Sequence, residues 1–349
     1  MAELSIIIVN WNSLEFAKNC IASIETTTQD VDYEIIVVDN ASPEGGCSEI
    51  RTRFPGVRVI ALEQNIGFGA ANNLGAEQAS GRDLLFLNPD TLVLGDALSR
   101  MMAVFDAEEE VGAVGCRLLN GDRTLQMSCV QPFPTVLNQL LAFDWLKRSW
   151  PGLPLFGMKA LYADGGRGLH EVDVVSGACM MVKKQVFEQV GGFHRKYFMY
   201  AEEVDLCYCI RKTGRKVQYV GDAQVVHFGG QSTKKKEDGF SDTLMRDSVF
   251  KFLRRSRGTP YAMLYRIMLF LSAMVRMAVL FIIFPFSAIP NRFVRRDAVK
   301  RAFKKWRNIA RWSLALAGWA PGPAKMLPVS DFAVSARVFD SDPGSRENA

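Results

Sequence analysis

Apolar and polar positions follow two distinct periods along the first 120 residues. "LSIIIVNW" (Leu4–Trp11) is a continuous apolar run, as expected of a strand buried on both faces. Phe16, Cys20 and Ile24 then recur at helical spacing. "YEIIVVDN" and "VRVIALEQN" predict a second and third strand, "GAANNLGAEQA" a short helix of small residues, and "RDLLFLNPD" a fourth strand. "DALSRMMAVFDA" puts Leu98, Met101, Met102 and Phe105 on one helical face, and "VGAVGCRLL" predicts a fifth strand. Strands alternating with helices at this spacing predict an α/β fold whose central sheet is mainly parallel. Residues 120–170 break the pattern: Pro132, Pro134, Pro151 and Pro154 fall among Phe133, Trp145, Trp150 and Phe156, aromatics that read as exposed. That stretch is either an excursion covering a site or a plain insertion. Beyond it, "VDVVSGACMMV" predicts a strand and "KKQVFEQVGGF" a helix closed by Gly191-Gly192. "EEVDLCYCIRKTGRK" predicts a helix stopped by Gly214, and "VQYVGDAQVVHFGG" a pair of strands.

The predicted strand ends carry the first chemical signal. They read Asn10-Trp11-Asn12, Asp39-Asn40, Gln64-Asn65 and Asn88-Pro89-Asp90. One polar strand end is a turn, since Asn, Pro and Asp all suit turns. Four of them on one edge of a parallel sheet look like a site, because ligands of such sheets bind at the carboxyl ends of the strands. Asp90, one residue past a proline at the mouth of an apolar strand, is placed either for a turn or for a positively charged ligand such as a metal ion. "QNIGFGAANNLG" holds Gly67-x-Gly69 but lacks the third glycine of a dinucleotide fingerprint and does not follow the first strand. Its glycines still allow close backbone approach to a phosphate at a helix start, beside the amides of Asn65, Asn72 and Asn73. Glu202, Glu203 and Asp205 share the first turn of a helix. Acids there oppose the macrodipole, but three crowded carboxylates also raise one another's proton affinity, as a general base needs. His227, one of three histidines, reads either as a packed residue or, with Asp90, as an oxygen and nitrogen pair for Mg2+ or Mn2+.

Composition narrows the class. The chain has 349 residues, 48% apolar and 23% charged, enough for a full core without staples. Seven cysteines, at 20, 47, 116, 129, 179, 207 and 209, show no zinc-binding spacing; with no signal peptide they predict reduced thiols in a cytoplasmic protein. The net charge of +5 conceals an asymmetry: Lys251–Trp312 holds 15 basic residues and one acid, Asp297, making that segment +14 and the remainder −9. A basic arm of this kind meets nucleic acid or an anionic membrane surface.

Seven motifs in order, "LSIIIVNWNS", "EIIVVDNAS", "QNIGFGAANNLG", "LFLNPDT", "VSGACMMVKKQVFEQVGGF", "FMYAEEVDLCYCIRKTGRK" and "VVHFGGQST", resemble the family 2 glycosyltransferases of GT-A fold, most of all their bacterial rhamnosyltransferase branch, over about residues 4–235. The resemblance implies a nucleotide-sugar site. Asp39 would hold the pyrimidine N3–H, and Asn10, Asn12, Asn40, Asn65, Gly67, Phe68, Gly69 and Asn73 would lie along the nucleotide. Asn88-Pro89-Asp90 stands where the family has its Asp-x-Asp metal motif, with Asn88 in place of the first acid, so Asp90 and His227 would carry the Mg2+ or Mn2+. Glu203 matches the catalytic base, with Glu202 and Asp205 as alternates. The implied activity is inverting transfer of rhamnose from dTDP-rhamnose to a lipid-linked or growing cell-surface glycan. The alternatives are transfer of glucose, galactose or N-acetylglucosamine from a UDP donor, and a non-catalytic glycan-binding or scaffold protein, which only Asn88 favours.

From Ile267 to Ile289 the chain is apolar apart from Arg276, 23 residues or about 34 Å of helix. Arg276 near mid-span and Pro285 argue against a crossing, so a helix lying in the membrane interface is expected, beside a second basic amphipathic helix that puts Phe303, Trp306, Ile309 and Ala310 on one face. A buried helix bundle or oligomer interface, and a single membrane-spanning helix, are the alternatives. No base-stacking or groove-reading element supports a nucleic-acid partner. The expected organisation is a catalytic domain over 1–240, a basic helical membrane-associating region over 241–320 and a mobile tail over 321–349, with the whole peripheral on the inner face of the cell membrane and a homo-oligomer an open option.

Overall fold

A computed structural model describes residues 2–229, 240–284, 296–315 and 336–339. The chain forms two compact units. One comprises residues 1–133, 147–232 and 331–349; the other comprises 134–146 and 233–330.

The first unit is built on a sheet. β1 (Leu4–Asn10), β2 (Tyr33–Asp39), β3 (Val57–Leu62) and β4 (Asp83–Leu87) alternate with α1 (Leu14–Thr27), α2 (Cys47–Arg53) and α3 (Phe68–Glu77). Then come β5 (Thr91–Val93), α4 (Ala97–Ala107), β6 (Val111–Leu119) and β7 (Val130–Gln131), followed in chain order by α5 (Val136–Leu140), which belongs to the second unit, and α6 (Asp144–Ser149). The chain continues through β8 (Leu169–Glu171), β9 (Val174–Val175), β10 (Cys179–Lys183), α7 (Lys184–Val190), α8 (Glu202–Lys212) and β11 (Lys216–His227). The sheet order is β12-β3-β2-β1-β4-β10-β6-β11-β5, where β12 is Ala336–Phe339. β3, β2, β1 and β4 run parallel, as do β6 and β11, with β10 antiparallel between β4 and β6. All seven residues of β1 are buried, which explains its unbroken apolar run. α3 needs its small residues, since a Cβ on Gly75 would come within 2.6 Å of the Ile7 Cγ2 methyl.

Three sequence readings are corrected here. "VDVVSGACMMV" is two strands, β9 and β10, separated at Gly177. "VQYVGDAQVVH" is one strand, β11, whose pairing with β6 shifts register between Val220 and Gln224 and so mimics a turn. Phe156 is buried rather than exposed, while Trp150 is exposed as expected. The 321–349 segment contributes an edge strand, β12, antiparallel to β3 and covering what would otherwise be an open edge; its other residues lie outside those described.

The second unit is helical: α5 with α9 (Phe240–Arg257), α10 (Thr259–Ile283) and α11 (Arg296–Ser313). Residues 134–146 belong with it because α5 is tied there. The N–H of Val136 donates to the Tyr261 hydroxyl at 3.2 Å, and Arg246 Nη1 donates to Gln139 Oε1 at 3.0 Å. Thr135 and Asn138 form a reciprocal capping box on α5. Ile309 and Ala310 of α11 are buried as the amphipathic pattern predicts, but Phe303 is 39% exposed. Pro285 and the rest of the apolar run to Ile289 lie outside the described residues.

Candidate active site

Parallel register brings the strand ends together. Asn10 pairs with Asp39 across β1 and β2, and Ile8 pairs with Leu87 across β1 and β4, so Asn10, Asp39 and the Asn88-Pro89-Asp90 segment lie along one edge. Asn10, Asp39 and Asn40 are buried. Asn10 Nδ2 donates to Asp39 Oδ1 at 2.9 Å and to Ser42 Oγ at 3.2 Å, and the Ser42 N–H donates to Asp39 Oδ2 at 3.2 Å. The Asn12 N–H donates to Ser42 Oγ at 3.0 Å. Asn40 donates to Asn65 Oδ1 at 3.1 Å and accepts from the Ile66 N–H at 2.9 Å, while Asn65 Oδ1 also accepts from the Gly67 N–H at 3.0 Å. The polar strand ends are thus a braced network. A carboxylate has about four acceptor positions, so Asp39 keeps capacity for an incoming N–H. Asn10 Oδ1 is buried with no hydrogen-bond partner. Such an atom is costly unless a ligand satisfies it.

Gly67 is required by geometry. Its φ is +88°, and a Cβ there would stand 2.5 Å from the Phe198 carbonyl oxygen. The Phe68 N–H donates to that same oxygen at 2.9 Å, and the nearest atoms to a Cβ on Gly69 would be those of Phe193 and Glu202. The glycine loop is therefore pressed against the segment that carries the acids. Asn73 differs from the sequence expectation. Its amide donates to the Phe193 carbonyl at 2.7 Å and accepts from the Phe193 N–H at 2.8 Å, so it is a brace between α3 and residue 193. Asn72 is fully buried, with Nδ2 on the Phe68 carbonyl.

Asp90 and His227 meet as the sequence suggested. Asp90 Oδ1 lies 3.3 Å from His227 Nε2, and Asn88 Nδ2 lies 3.3 Å from the same nitrogen. β5 pairs with the end of β11, His227 opposite Thr91, and the Phe228 N–H donates to the Asp90 carbonyl at 2.9 Å. His227 Nδ1 is 2.8 Å from Gln126 Oε1. An amide oxygen only accepts, so Nδ1 carries a proton and is held by Gln126, which turns Nε2 toward Asp90 and Asn88. A histidine fixed in this way through its other nitrogen is the usual arrangement of a metal ligand. Asp90 oxygen and His227 nitrogen suit neighbouring positions around Mg2+ or Mn2+, and Asn88 contributes an amide rather than a charge. No group of three or more His, Cys, Asp or Glu side chains forms a metal cluster among the described residues, so a cation held by Asp90 and His227 would need further ligands from substrate oxygens and water.

The acids sit at the start of α8. Tyr200 and Ala201 precede it with φ of +71° and +62°. Two successive non-glycine residues in the left-handed region cost about 1–3 kcal/mol each and cluster at functional sites. The Asp205 N–H to Ala201 carbonyl bond, 3.0 Å, helps hold the turn. Glu202 is buried, and its Oε2 has no hydrogen-bond partner. Burial first, and then the charge of Glu203, push its carboxyl well above the ordinary glutamate range. Glu203 is less buried; desolvation also raises it, opposed by backbone N–H groups and Gln131. Gln131 Nε2 reaches Glu203 Oε1 across 3.5 Å, and Gly177 lies against the Glu203 side chain, where a Cβ would stand 3.3 Å from the Glu203 Cβ. Asp205 is buried and accepts from the Tyr197 hydroxyl at 3.3 Å, which fits an internal brace. Sequence reasoning missed Ser42, Gln126 and Gln131. Ser42 lay in a turn with no pattern, and both glutamines fell in the stretch read as irregular.

Comparison with known proteins agrees with this architecture. A model of glycosyl transferase family 2 matches residues 5–191, more than half of the chain. The chain is 25% identical over 245 residues to the N-acetylglucosaminyl-diphospho-decaprenol L-rhamnosyltransferase of Mycobacterium tuberculosis, covering 66% of this chain and 77% of that one. It is 26% identical over 262 residues to rhamnosyltransferase WbbL of Escherichia coli K12, covering 72% and 93%. The solved mannosyltransferase of Pyrobaculum calidifontis, in complex with GDP-Man and Mn2+, shares the fold with a TM-score of 0.59 and 15% identity, over 90% of this chain and 87% of that one. With its GT-A-like sheet, this chain belongs to glycosyl transferase family 2 and is a glycosyltransferase.

Proposed function

We propose that this enzyme transfers rhamnose, with inversion, from dTDP-rhamnose to a glycan carried on a polyprenyl diphosphate lipid, working at the cytoplasmic face of the membrane. The carrying observation is a polar strand-end network whose glycine loop packs against the segment leading into Glu202 and Glu203. The rhamnosyl donor and the lipid-linked acceptor are supported by the two relatives, whose names state rhamnosyl transfer and, in one case, a diphospho-decaprenol substrate.

The residues divide the work. Asp39 offers an acceptor to the N3–H of the base. The Gly67–Gly69 turn lies along the diphosphate, whose charge the start of α3 favours. Asp90 and His227 would hold the divalent cation, which when bound neutralises charge on the departing diphosphate. Glu203, as carboxylate, takes the proton of the acceptor hydroxyl. That oxygen attacks the anomeric carbon from the face opposite the nucleotide. The bond from that carbon to the diphosphate oxygen breaks, and its electron pair leaves with the nucleoside diphosphate. Glu202, buried and raised more strongly than its neighbour, acts as the neutral partner that leaves Glu203 as the ionised member of the pair.

Thymine and uracil present the same N3–H, so a UDP-glucose, UDP-galactose or UDP-N-acetylglucosamine donor is the second reading. The test is turnover of dTDP-rhamnose against those UDP-sugars, with N-acetylglucosaminyl-diphospho-prenol as acceptor and Mn2+ or Mg2+ present. Preference for dTDP-rhamnose supports the first reading and preference for a UDP-sugar the second. Nucleotide binding without any transfer would return the non-catalytic alternative.

A further inference from the structure

α10 carries two opposed faces. Ala262, Tyr265, Leu269 and Ala273 are buried on one. At 100° per residue the other face gathers Leu264, Ile267, Leu271, Val275 and Ile282, flanked by Phe281. These are exposed: Ile267 54%, Leu271 50%, Val275 63% and Phe281 76%. An exposed apolar stripe along a 25-residue helix marks an interaction surface. Arg276, the one charge inside the apolar run, falls on the buried face. Its guanidinium lies 4.2 Å from the Phe143 ring centroid and 4.3 Å from that of Trp306. It donates to Ser272 Oγ at 3.2 Å and to the Leu140 carbonyl at 3.4 Å. The charge that argued against lipid contact is thus turned away from the stripe. α10 is long and apolar enough to cross a bilayer, but the packing of its buried face argues against it. A crossing helix needs lipid or other apolar spans all round, whereas the buried face of α10 packs with α11, which has seven basic residues in eighteen. Within α11, Arg296, Lys300, Lys304, Arg307 and Arg311 recur at i, i+4, i+8, i+11 and i+15, and all are exposed.

We propose that α10 and α11 form a monotopic docking surface for an anionic lipid bilayer. α10 lies in the plane of the interface with its apolar stripe among the upper acyl chains, and the basic stripe of α11 takes lipid headgroups. The proposal rests on the reading of a lipid-linked acceptor for its functional meaning, since such an acceptor is met only at a membrane. The occupant is assigned by charge: an apolar stripe alone would suit a second copy of the chain, but Lys251–Trp312 carries 15 basic residues against one acid, a balance that a second copy would repel and an anionic bilayer complements.

The test is co-sedimentation of the full-length protein with phosphatidylcholine vesicles, with and without phosphatidylglycerol, across a range of salt. Binding is expected to require the anionic lipid, to weaken with salt, and to be released by alkaline carbonate. Leu271→Glu/Val275→Glu and, independently, Lys304→Glu/Arg307→Glu are each expected to lower partitioning about tenfold or more, with thermal midpoint and dTDP affinity unchanged. Retention through carbonate extraction would overturn the proposal in favour of a spanning helix. A dimer in sedimentation velocity that Leu271→Glu/Val275→Glu dissociates would assign the stripe to a second copy. Unchanged partitioning of Lys304→Glu/Arg307→Glu would also overturn it. Transfer to a short-chain, water-soluble prenyl diphosphate acceptor is read in parallel. If that persists while vesicle binding fails, docking is wrong and transfer stands; the reverse result separates the two claims the other way.

Discussion

Glu202 and Glu203 are neighbours in sequence but not in environment, and this difference has consequences that titration can read. Glu203 must be ionised to accept a proton, and burial raises it above the ordinary glutamate range. The acid limb of kcat/KM is therefore expected above that range, with activity falling as pH drops through it. Glu202 is raised further, so the folded state holds a proton that the unfolded chain releases. Its contribution to stability is full below the unfolded glutamate pKa and is lost as pH rises through the folded value. Glu202→Gln removes that decline. Thermal midpoints of wild type and variant should diverge with rising pH, and parallel curves would contradict the assignment. At the other end of the site, His227→Ala is expected to weaken Mn2+ stimulation of donor binding by about 10–100-fold, measured by calorimetry with and without the metal. The Asp90–His227 pairing was legible as a candidate because a lone carboxylate and a lone histidine followed apolar strands. Gln126, which holds the histidine ring, was not, because a single glutamine in an aperiodic stretch carries no local signal.

At the scale of elements, periodicity was a good guide where burial is uniform and a poor one where the backbone departs from regular pairing. β1 to β4, α3, α4, α7 and α8 fall where the apolar pattern puts them. The break at Gly177 and the register shift in β11 were misread, because a bulge and a turn look alike in one dimension. Asn73 looked like a ligand because amides beside a glycine loop commonly are; its partner, the Phe193 backbone, is 120 residues away. Phe193 is the element-level keystone. It sits 4.8 Å from the Phe86 ring centroid of β4, 5.6 Å from Phe187 of α7 and 6.5 Å from Phe68 of α3. Phe193→Ala is expected to cost about 3–5 kcal/mol in chemical denaturation. Because it also loosens the glycine loop against the acids, donor binding should weaken in the variant that remains folded.

Over the whole molecule, alternating strands and helices made the sheet unit readable, and the charge asymmetry made the basic helices readable. The grouping of residues 134–146 with the helical unit was not legible, because their ties to Tyr261, Arg246 and Arg276 are long-range and leave no sequence period. Saturating dTDP with Mn2+ at about a hundred times its dissociation constant should stabilise the protein by about 2.7 kcal/mol. Asp90→Asn should remove the metal-dependent part of that gain. The central claim is the division between a strand-end nucleotide site and a Glu203 base. It is tested most directly by measuring sugar transfer and dTDP affinity in the same preparation of Glu203→Gln. The account predicts that transfer falls by about 10²–10⁴-fold while nucleotide affinity stays at the wild-type value. Transfer at the wild-type rate, or affinity lost together with transfer, would contradict it.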